Sequence, residues 1–258
     1  MNLEKILQEE YKDVSNQTRK EIKQVAHSKE VDDIQKVYKY FMRTCKKIFD
    51  DANDINRTTE NVKFLATNEN LYFLAKRLTE KLDFEKKDLD TFFSELVNYK
   101  KFVSFSSTGF FISALINKNY DRTRMREEYV LIAYDLDELG YIGSHCNGAN
   151  IHVYGNVGSQ ICEKMEKGTV TIEGNAGYCA GCNMKGGTLI LQNADNELGA
   201  FMNGGTIICK NAGEEVGLFM IRGTIHITEF CKEISESYYG GDIYYRGEKI
   251  SPKEMKIK

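Results

Sequence analysis

The sequence predicts an α+β multidomain protein, in which an N-terminal α-helical domain is followed by a single-stranded right-handed β-helix, a β-solenoid with rungs of 18–19 residues. Glycine is one sign of this division, because only Gly109 precedes residue 140 and the other 20 of 21 glycines follow. Charge is another, since residues 1–127 carry 24 Lys+Arg against 21 Asp+Glu and the remainder carries 11 against 17. The third sign is an internal repeat confined to the second half.

These observations set the domain boundaries that we predict. A helical domain occupies residues 1–127, a β-helix occupies 128–234, and a C-terminal hairpin or cap occupies 235–258. The first segment is expected to contain four to six helices packed as a bundle.

Apolar residues in the first half recur at the three- and four-residue intervals of an amphipathic helix. The clearest stripe comprises Val31, Ile34, Val37, Tyr38, Phe41, Met42, Cys45, Ile48 and Phe49, and a weaker one comprises Leu3, Ile6, Leu7 and Val14. Further helices are predicted over 68–82, 85–100 and 107–118, and the apolar run "GFFISALI" in the last indicates a buried helix. The intervening "DDANDINRTTE" lacks the glycine and glutamate of a calcium loop, so we interpret it as a polar turn.

Four copies of one pattern follow each other in the second half. They are "KGTVTIEGNAGYCAGCNM" from 167, "GGTLILQNADNELGAFMN" from 186, "GGTIICKNAGEEVGLFMI" from 204 and "RGTIHITEF" from 222. Thr169, Thr188, Thr206 and Thr224 are equivalent, and each is followed by an alternating run typical of a strand. A single copy cannot bury its apolar face, so the copies are expected to stack into a solenoid.

The recurring glycine and methionine positions are interpreted as structural. Glycines are expected at the rung corners, where the backbone takes positive φ, and methionines in the core. These positions are Met165, Gly168, Gly181, Met184, Gly187, Gly199, Met202, Gly205, Gly217, Met220 and Gly223. The six-residue period of left-handed β-helices is absent, so we predict a right-handed helix with one long strand and one or two short strands per rung.

The segments "AGYCAGCNMKGGTLIL", "LGAFMNGGTIIC" and "VGLFMIRGTIHI" resemble the GXGXG β-helix domain. That domain forms the C-terminal part of the glutamate synthase large subunit and the core of one of the subunits of formylmethanofuran dehydrogenase. The resemblance covers about residues 129–230 and implies a right-handed β-helix that packs against catalytic domains. The catalytic parts of glutamate synthase have no counterpart here, since no nucleophilic cysteine follows Met1 and the chain has no room for a flavin barrel.

The resemblance and the repeat together predict a non-catalytic scaffold or assembly module, an accessory subunit of a larger, redox enzyme complex. No catalytic residue and no cofactor are predicted. The chain has no secretory signal and no apolar run long enough to span a membrane, so a cytoplasmic location with reduced thiols is expected. Because the helical half is nearly neutral, its charge does not indicate nucleic-acid binding.

Four side chains are candidates for metal binding, and a structural alternative stands beside them. Cys179 and Cys182 form a CxxC, and His145 and Cys146 precede it in the chain. A structural zinc site needs four convergent ligands, and in our alignment of the rungs His145 stands at the Cys182 position two rungs away. The alternative is that Cys179 and Cys182 are small, buried cysteines without a metal.

Two surfaces remain as sites of interaction. Ile190 and Ile208 lie on the outward face of their strands, where we expect either the helical domain, a protein partner or a second copy of the chain to cover them. The tail "IYYRGEKI" predicts a hairpin about Arg246 and Gly247, and its tyrosines form either a cap or a recognition patch. The competing functional hypothesis is an enzyme or small-ligand-binding protein with its site in the interdomain groove, lined by residues 102–126 and the outward solenoid face.

Overall fold

The computed structural model describes residues 28–53, 67–99, 107–124, 127–133, 136 and 139–250. Four α-helices and an eight-stranded sheet lie in these ranges, and the strands form a β-solenoid of about six turns. The helical stripe from Leu3 to Val14 lies outside the described residues, as do residues 54–60 of the predicted polar turn. Residues 50–53 of that segment belong to the first helix, so the turn prediction is wrong for them.

The helices follow the predicted segments closely. They are α1 (Lys29–Asn53), α2 (Asn68–Thr79), α3 (Lys86–Glu95), which continues as a 3₁₀ turn (Leu96–Tyr99), and α4 (Thr108–Thr123). The α1 stripe is buried at Val31, Ile34, Tyr38, Phe41 and Cys45, as its periodicity predicts. Helix α4 is buried along most of its length, which fits the unbroken apolar run "GFFISALI".

One sheet forms the strand wall of the solenoid. Its strands are β1 (Glu128–Ile132), β2 (Asn147–Tyr154), β3 (Lys167–Ala176), β4 (Thr188–Ala194), β5 (Asn203–Ala212), β6 (Arg222–Cys231), β7 (Asp242–Tyr245) and β8 (Glu248–Ile250). Neighbouring strands are parallel from β1 to β7. Thr169, Thr188, Thr206 and Thr224 stand directly beside one another, so the predicted alignment of these copies is confirmed.

The interior explains why methionine and glycine recur together. Met165, Met184, Met202 and Met220 have no exposed surface. A Cβ added to Gly187 would lie 2.5 Å from the ε-methyl carbon of Met165, and one added to Gly223 would lie 2.7 Å from that of Met202. A glycine in one turn therefore makes room for the methionine of the turn before it.

The wall opposite the sheet is built from five-residue corners rather than short strands. The corners are residues 141–145, 160–164, 179–183, 197–201 and 215–219, which we number as turns 1 to 5. In each, the first, third and fifth residues have positive φ, between 53° and 76°. Alternating left-handed residues cannot form extended strand, so the prediction of short additional strands is wrong for these corners.

The corners also correct the alignment of His145. It occupies the fifth position of turn 1, and its N–H donates to Glu163 O, as Lys164 N–H donates to Cys182 O one turn later. His145 therefore corresponds to Asn183 and not to Cys182, whose counterpart in turn 1 is Ser144.

Helices and solenoid share one continuous hydrophobic core, which extends from Ile34 to Ile243. Helix α4 approaches the solenoid closely just before turn 1, where a Cβ on Gly109 would lie 1.7 Å from Gly140 O. The one glycine of the helical half is thus the point where a helix backbone touches the solenoid backbone. Ser113 Oγ strengthens this junction, because it donates to Tyr141 O and accepts from Gly143 N–H.

The C-terminal end of the sheet is closed by the predicted hairpin. β7 pairs in parallel with β6, and β8 folds back antiparallel to β7 through Arg246 and Gly247. Both turn residues have positive φ, 52° and 84°, as a two-residue type I′ turn requires. Tyr244 stacks on His226 of the last full strand, with ring centroids 4.8 Å apart.

Candidate functional site

Helix α2 covers the corner in turns 1 and 2. Tyr141 OH donates to Asn68 Oδ1, and Asn68 Nδ2 donates to Gln160 Oε1, both at 3.0 Å. The fifth positions are also engaged, because the His145 ring stacks on Tyr72 with centroids 4.1 Å apart. Lys164 pairs with Glu69 at 3.4 Å. The N-terminal part of α2 therefore lies along the first two turns.

A buried asparagine ties this helix to the rest of the molecule. Asn117 of α4 is 6% exposed, and its Nδ2 donates to Tyr72 OH at 3.0 Å. The same group donates to the carbonyl oxygens of Ser144 and His145. One side chain thus joins α4, α2 and turn 1.

The stacked histidine is held in its neutral form. Burial, followed by the nearby Lys164 and Lys185 ammonium groups, lowers the pKa of His145 to about 4. A neutral imidazole can stack on a phenol ring without bringing an uncompensated charge into the interface.

A cleft of 540 Å³ opens beside the N-terminus of α2. It is lined by Thr67, Asn68, Glu69, Asn70, Phe73, Glu163 and Lys164. This cleft has the start of α2 and turn 2 as its walls, so it is a different site from the predicted interdomain groove. Among the described residues, neither 107–124 nor the outward strand face lines this cleft.

Glu163 is the unusual member of this lining. The residue as a whole is 7% exposed, but its carboxylate oxygens are not fully enclosed, and they make no hydrogen bond or ion pair with another described residue. Burial raises the pKa of this carboxyl group, and the neighbouring Lys164 opposes the rise. An unpaired buried carboxylate is costly, so it is a group that a ligand could satisfy.

The two cysteines of the CxxC face each other in turn 3 and form a disulfide. Their Cα atoms are 5.4 Å apart, within the range that a disulfide spans. They pack with Ala200 and Leu218 in a small cluster outside the main core. The expectation of reduced thiols does not describe this pair as it stands in the structure.

The four candidate metal ligands do not converge. His145 lies against Tyr72, and Cys146 is fully buried with its Sγ 3.5 Å from Ala149 O. Within the described residues, no group of three or more His, Cys, Asp or Glu side chains could hold a metal ion.

The remaining five cysteines are buried free thiols in the main core. Burial raises the pKa of each, to about 12 for Cys45 and Cys209 and to about 11 for Cys231, and also for Cys146 and Cys162. Because the thiolate is the reactive form, these five side chains are poor nucleophiles.

Turns 4 and 5 place phenylalanine at the fifth corner position, where Phe201 is exposed and Phe219 is half-buried. Phe201 and Phe219 have ring centroids 5.2 Å apart, and Tyr239 follows 5.6 Å from Phe219. Phe201 is 46% exposed, Ile221 52% and Tyr239 72%. We call Phe201, Phe219, Ile221 and Tyr239 the aromatic patch. Sequence reasoning missed it, although "AFMN" and "LFMI" carry the phenylalanines at equivalent places.

The predicted interaction face at Ile190 and Ile208 forms a narrow stripe. The two residues are register partners between Thr171 and His226, and Ile208 is 36% exposed. Helices do not bury this pair within the described residues. On the same face, His152 lies 3.3 Å from both Glu128 and Glu173, so it links β1, β2 and β3.

The strands and corners together form a β-solenoid, and helix α2 lies along its first two turns. No family model, curated protein or solved structure matches this chain. None of the helices in the described ranges has the length and apolar character needed to cross a membrane.

Proposed function

We propose that the protein is a non-catalytic scaffold whose aromatic patch docks an amphipathic helix of another protein. The observation that carries this proposal is the position of the patch. Its Phe201 and Phe219 stand, on turns 4 and 5, at the same fifth corner position that α2 covers on turns 1 and 2. Clustered exposed apolar side chains of this kind are typical of protein-binding surfaces.

The chain itself supplies the template for the docked segment. Helix α2 lies on the corner with an aromatic ring over the fifth position and a polar residue at the first. A partner helix that continues along the solenoid beyond α2 would place apolar side chains on Phe201 and Phe219. The mode is that of a helix whose apolar face fits a hydrophobic surface.

Charge specifies one flank of the partner helix. The first corner positions of turns 4 and 5 are Glu197 and Glu215, and neither pairs with a cationic side chain in the described residues. A helix with Lys or Arg along the matching flank would complement this edge of the patch.

The sequence resemblance supports the wider role. We propose that the solenoid is a right-handed β-helix of the GXGXG type and that the protein is an accessory subunit of a larger, redox enzyme complex in the cytoplasm. In the families that it resembles, this domain packs against catalytic domains, which is the role the aromatic patch would serve. The stripe at Ile190 and Ile208 is a second, narrower contact for the same assembly.

Site-specific photo-crosslinking in the native cell tests the docking proposal. A photoreactive amino acid at Phe201 is expected to crosslink to a helical, Lys- or Arg-rich segment of another protein. Tyr40 of α1, which is 59% exposed, serves as the matched control position and should give no specific product. Equal crosslinking at both positions, or products that join two copies of this chain, would overturn the proposed occupant.

Titration with a synthetic peptide of the crosslinked segment then measures the affinity of the aromatic patch for it. Phe219→Ser should weaken binding by roughly thirtyfold, because a central aromatic anchor contributes about 2 kcal/mol. The double variant Glu197→Gln, Glu215→Gln should weaken binding less and reduce its dependence on salt. An unchanged affinity for Phe219→Ser would contradict the proposal.

A further inference from the structure

The cleft between α2 and turn 2 presents both signs of charge at short range. The α2 wall contributes the N-terminus of the helix and the carboxylate of Glu69, and the turn 2 wall contributes Lys164 and the carboxylate of Glu163. The N–H groups of Asn68 and Glu69 have no acceptor within the described residues, whereas Asn70 N–H is capped by Thr67 Oγ1. Uncapped N–H groups at the start of a helix favour an anionic group.

Glu163 is the second and independent observation. It is more than nine-tenths buried, it lines the cleft, and its carboxylate has no partner in the described part of the chain. Lys164 does not satisfy it, because the Lys164 ammonium pairs with Glu69. A buried carboxylate without a partner is stabilised by a ligand that donates hydrogen bonds and carries positive charge.

Phe73 supplies the third element of the cleft. Its ring is 49% exposed and lies one helical turn after Glu69 on α2. An exposed ring next to a polar cleft can pack against the apolar part of a small molecule. The volume of 540 Å³ lies within the range that small-molecule sites occupy.

We propose that this cleft binds a small zwitterion of the α-amino acid class. The ligand ammonium is held by Glu163, and the ligand carboxylate is held by the free N–H groups of α2 together with Lys164. The ligand side chain packs on Phe73. A purely cationic ligand would meet the positive end of the helix, and a purely anionic ligand would meet two carboxylates, so only a ligand with both charges matches the lining.

The test is calorimetric titration of the whole protein with each of the twenty common α-amino acids. At least one is expected to bind saturably with a dissociation constant below roughly 1 mM, which is modest for a cleft of this size. The matching amine without the carboxylate, and the matching acid without the amine, should each bind at least tenfold more weakly. Binding of the amine alone with equal affinity would overturn the zwitterion assignment, as would no binding by any amino acid.

Variants locate the site. Glu163→Gln and Lys164→Met should each weaken binding at least tenfold, because each removes one of the two matched charges. Glu166→Gln is the control, since it removes the same charge from a neighbouring, exposed position that pairs with Lys185 outside the cleft. Glu163→Gln removes a buried charge, so it should fold at least as well as the unaltered chain. Unchanged affinity in Glu163→Gln would refute the assignment.

This inference is independent of the docking proposal. Phe219→Ser, which disrupts the aromatic patch, should leave amino-acid binding unchanged. Loss of ligand binding in that variant would show that the titrated site is not the cleft.

Discussion

The same backbone corner contacts helix α2 at one end of the solenoid and does not contact it at the other. In turns 1 and 2 its fifth residues are His145 and Lys164, and both contact α2. In turns 4 and 5 its fifth residues are Phe201 and Phe219, and α2 does not reach them. The backbone at these four positions is nearly identical, with φ between 53° and 56°. The local backbone conformation therefore does not decide which part of the corner is covered, because it is the same where α2 lies on the corner and where it does not.

Turn 3 lies at the boundary between these regions. Cys182 packs with Ala200 and Leu218, the residues that directly precede Phe201 and Phe219 in the chain, while Lys164 N–H of the covered region donates to Cys182 O. The disulfide therefore lies between the corners that α2 covers and the proposed docking surface.

The largest effect is expected where α4 meets turn 1. Gly109→Ala would place a methyl group 1.7 Å from Gly140 O, so the helix must move away from the solenoid. We expect a loss of about 4 kcal/mol or more in the free energy of unfolding. In an unconstrained helix the same change from glycine to alanine would instead raise the free energy of unfolding, by up to about 1 kcal/mol. Urea denaturation of the purified variant measures it.

Gly247→Ala is the matched control for this substitution. Gly247 has no atom within 4 Å of the added methyl group, although its φ is 84°. The expected loss is therefore only the backbone strain, about 1 kcal/mol. Equal losses in the two variants would show that the close contact at Gly109 does not hold the helices against the solenoid.

A second pair of variants contrasts the covered and uncovered corners directly. Tyr72→Ala removes a buried ring that stacks on His145 and accepts a hydrogen bond from Asn117, so a loss of about 3 kcal/mol is expected. Phe201→Ala removes a ring that is nearly half exposed, and we expect a loss below about 1 kcal/mol. Chemical denaturation compares them, and a larger loss for Phe201→Ala would reverse the assignment of covered and uncovered regions.

Much of the fold could be predicted because each repeat is a local pattern. Alternation places Val170 and Ile172 on one face, and the near-equal spacing of Thr169, Thr188 and Thr206 sets the register between strands. The hairpin about Arg246 and Gly247 is equally local. Handedness is a property of the whole path, and the expectation of a right-handed helix rests on the absent six-residue period and on the resemblance.

The corner site could not be predicted in the same way. Whether His145 or Phe201 is covered depends on where α2 lies, which is a contact between residues more than 70 positions apart. The burial of Glu163 also depends on this contact, since nothing in "ICEKME" distinguishes it from an exposed glutamate. Gly109 is visible in the sequence as an isolated glycine, but its partner Gly140 is not.

The cysteines test how turn 3, between the covered and the uncovered corners, is packed. Reduction should leave the solenoid folded and lower the free energy of unfolding by about 2 kcal/mol or less, because the disulfide closes a very short loop. A maleimide should then label Cys179, which is 5% exposed, slowly, while Cys182 at 2% and the five core thiols stay unlabelled until the protein unfolds. Mass spectrometry of labelled peptides reads the result. Labelling of Cys209 or Cys231 in the folded protein would contradict the position of the core.

The smallest expected effect comes from pH acting on the covered corner. The pKa of His145 is about 4 in the folded protein and about 6.5 in an unfolded chain, so the unfolded state binds the proton first as pH falls. The stability that this ring contributes is complete above pH 6.5 and is lost as pH falls from there toward 4. Since the residue is only partly buried, solvent screens part of the effect, and we expect a loss of about 1 kcal/mol between pH 7.5 and pH 5.

His145→Phe isolates this contribution, because it keeps a ring against Tyr72 but cannot bind a proton. Other groups near the site also titrate or carry charge, including Lys164, Lys185, Glu69 and Glu166, and they remain in both proteins. Urea denaturation at the two pH values should therefore show a smaller loss in the variant than in the unaltered chain. An identical pH dependence in both proteins would mean that the covered corner does not exclude the charged imidazole, and that the contrast with turns 4 and 5 is weaker than the stacking geometry indicates.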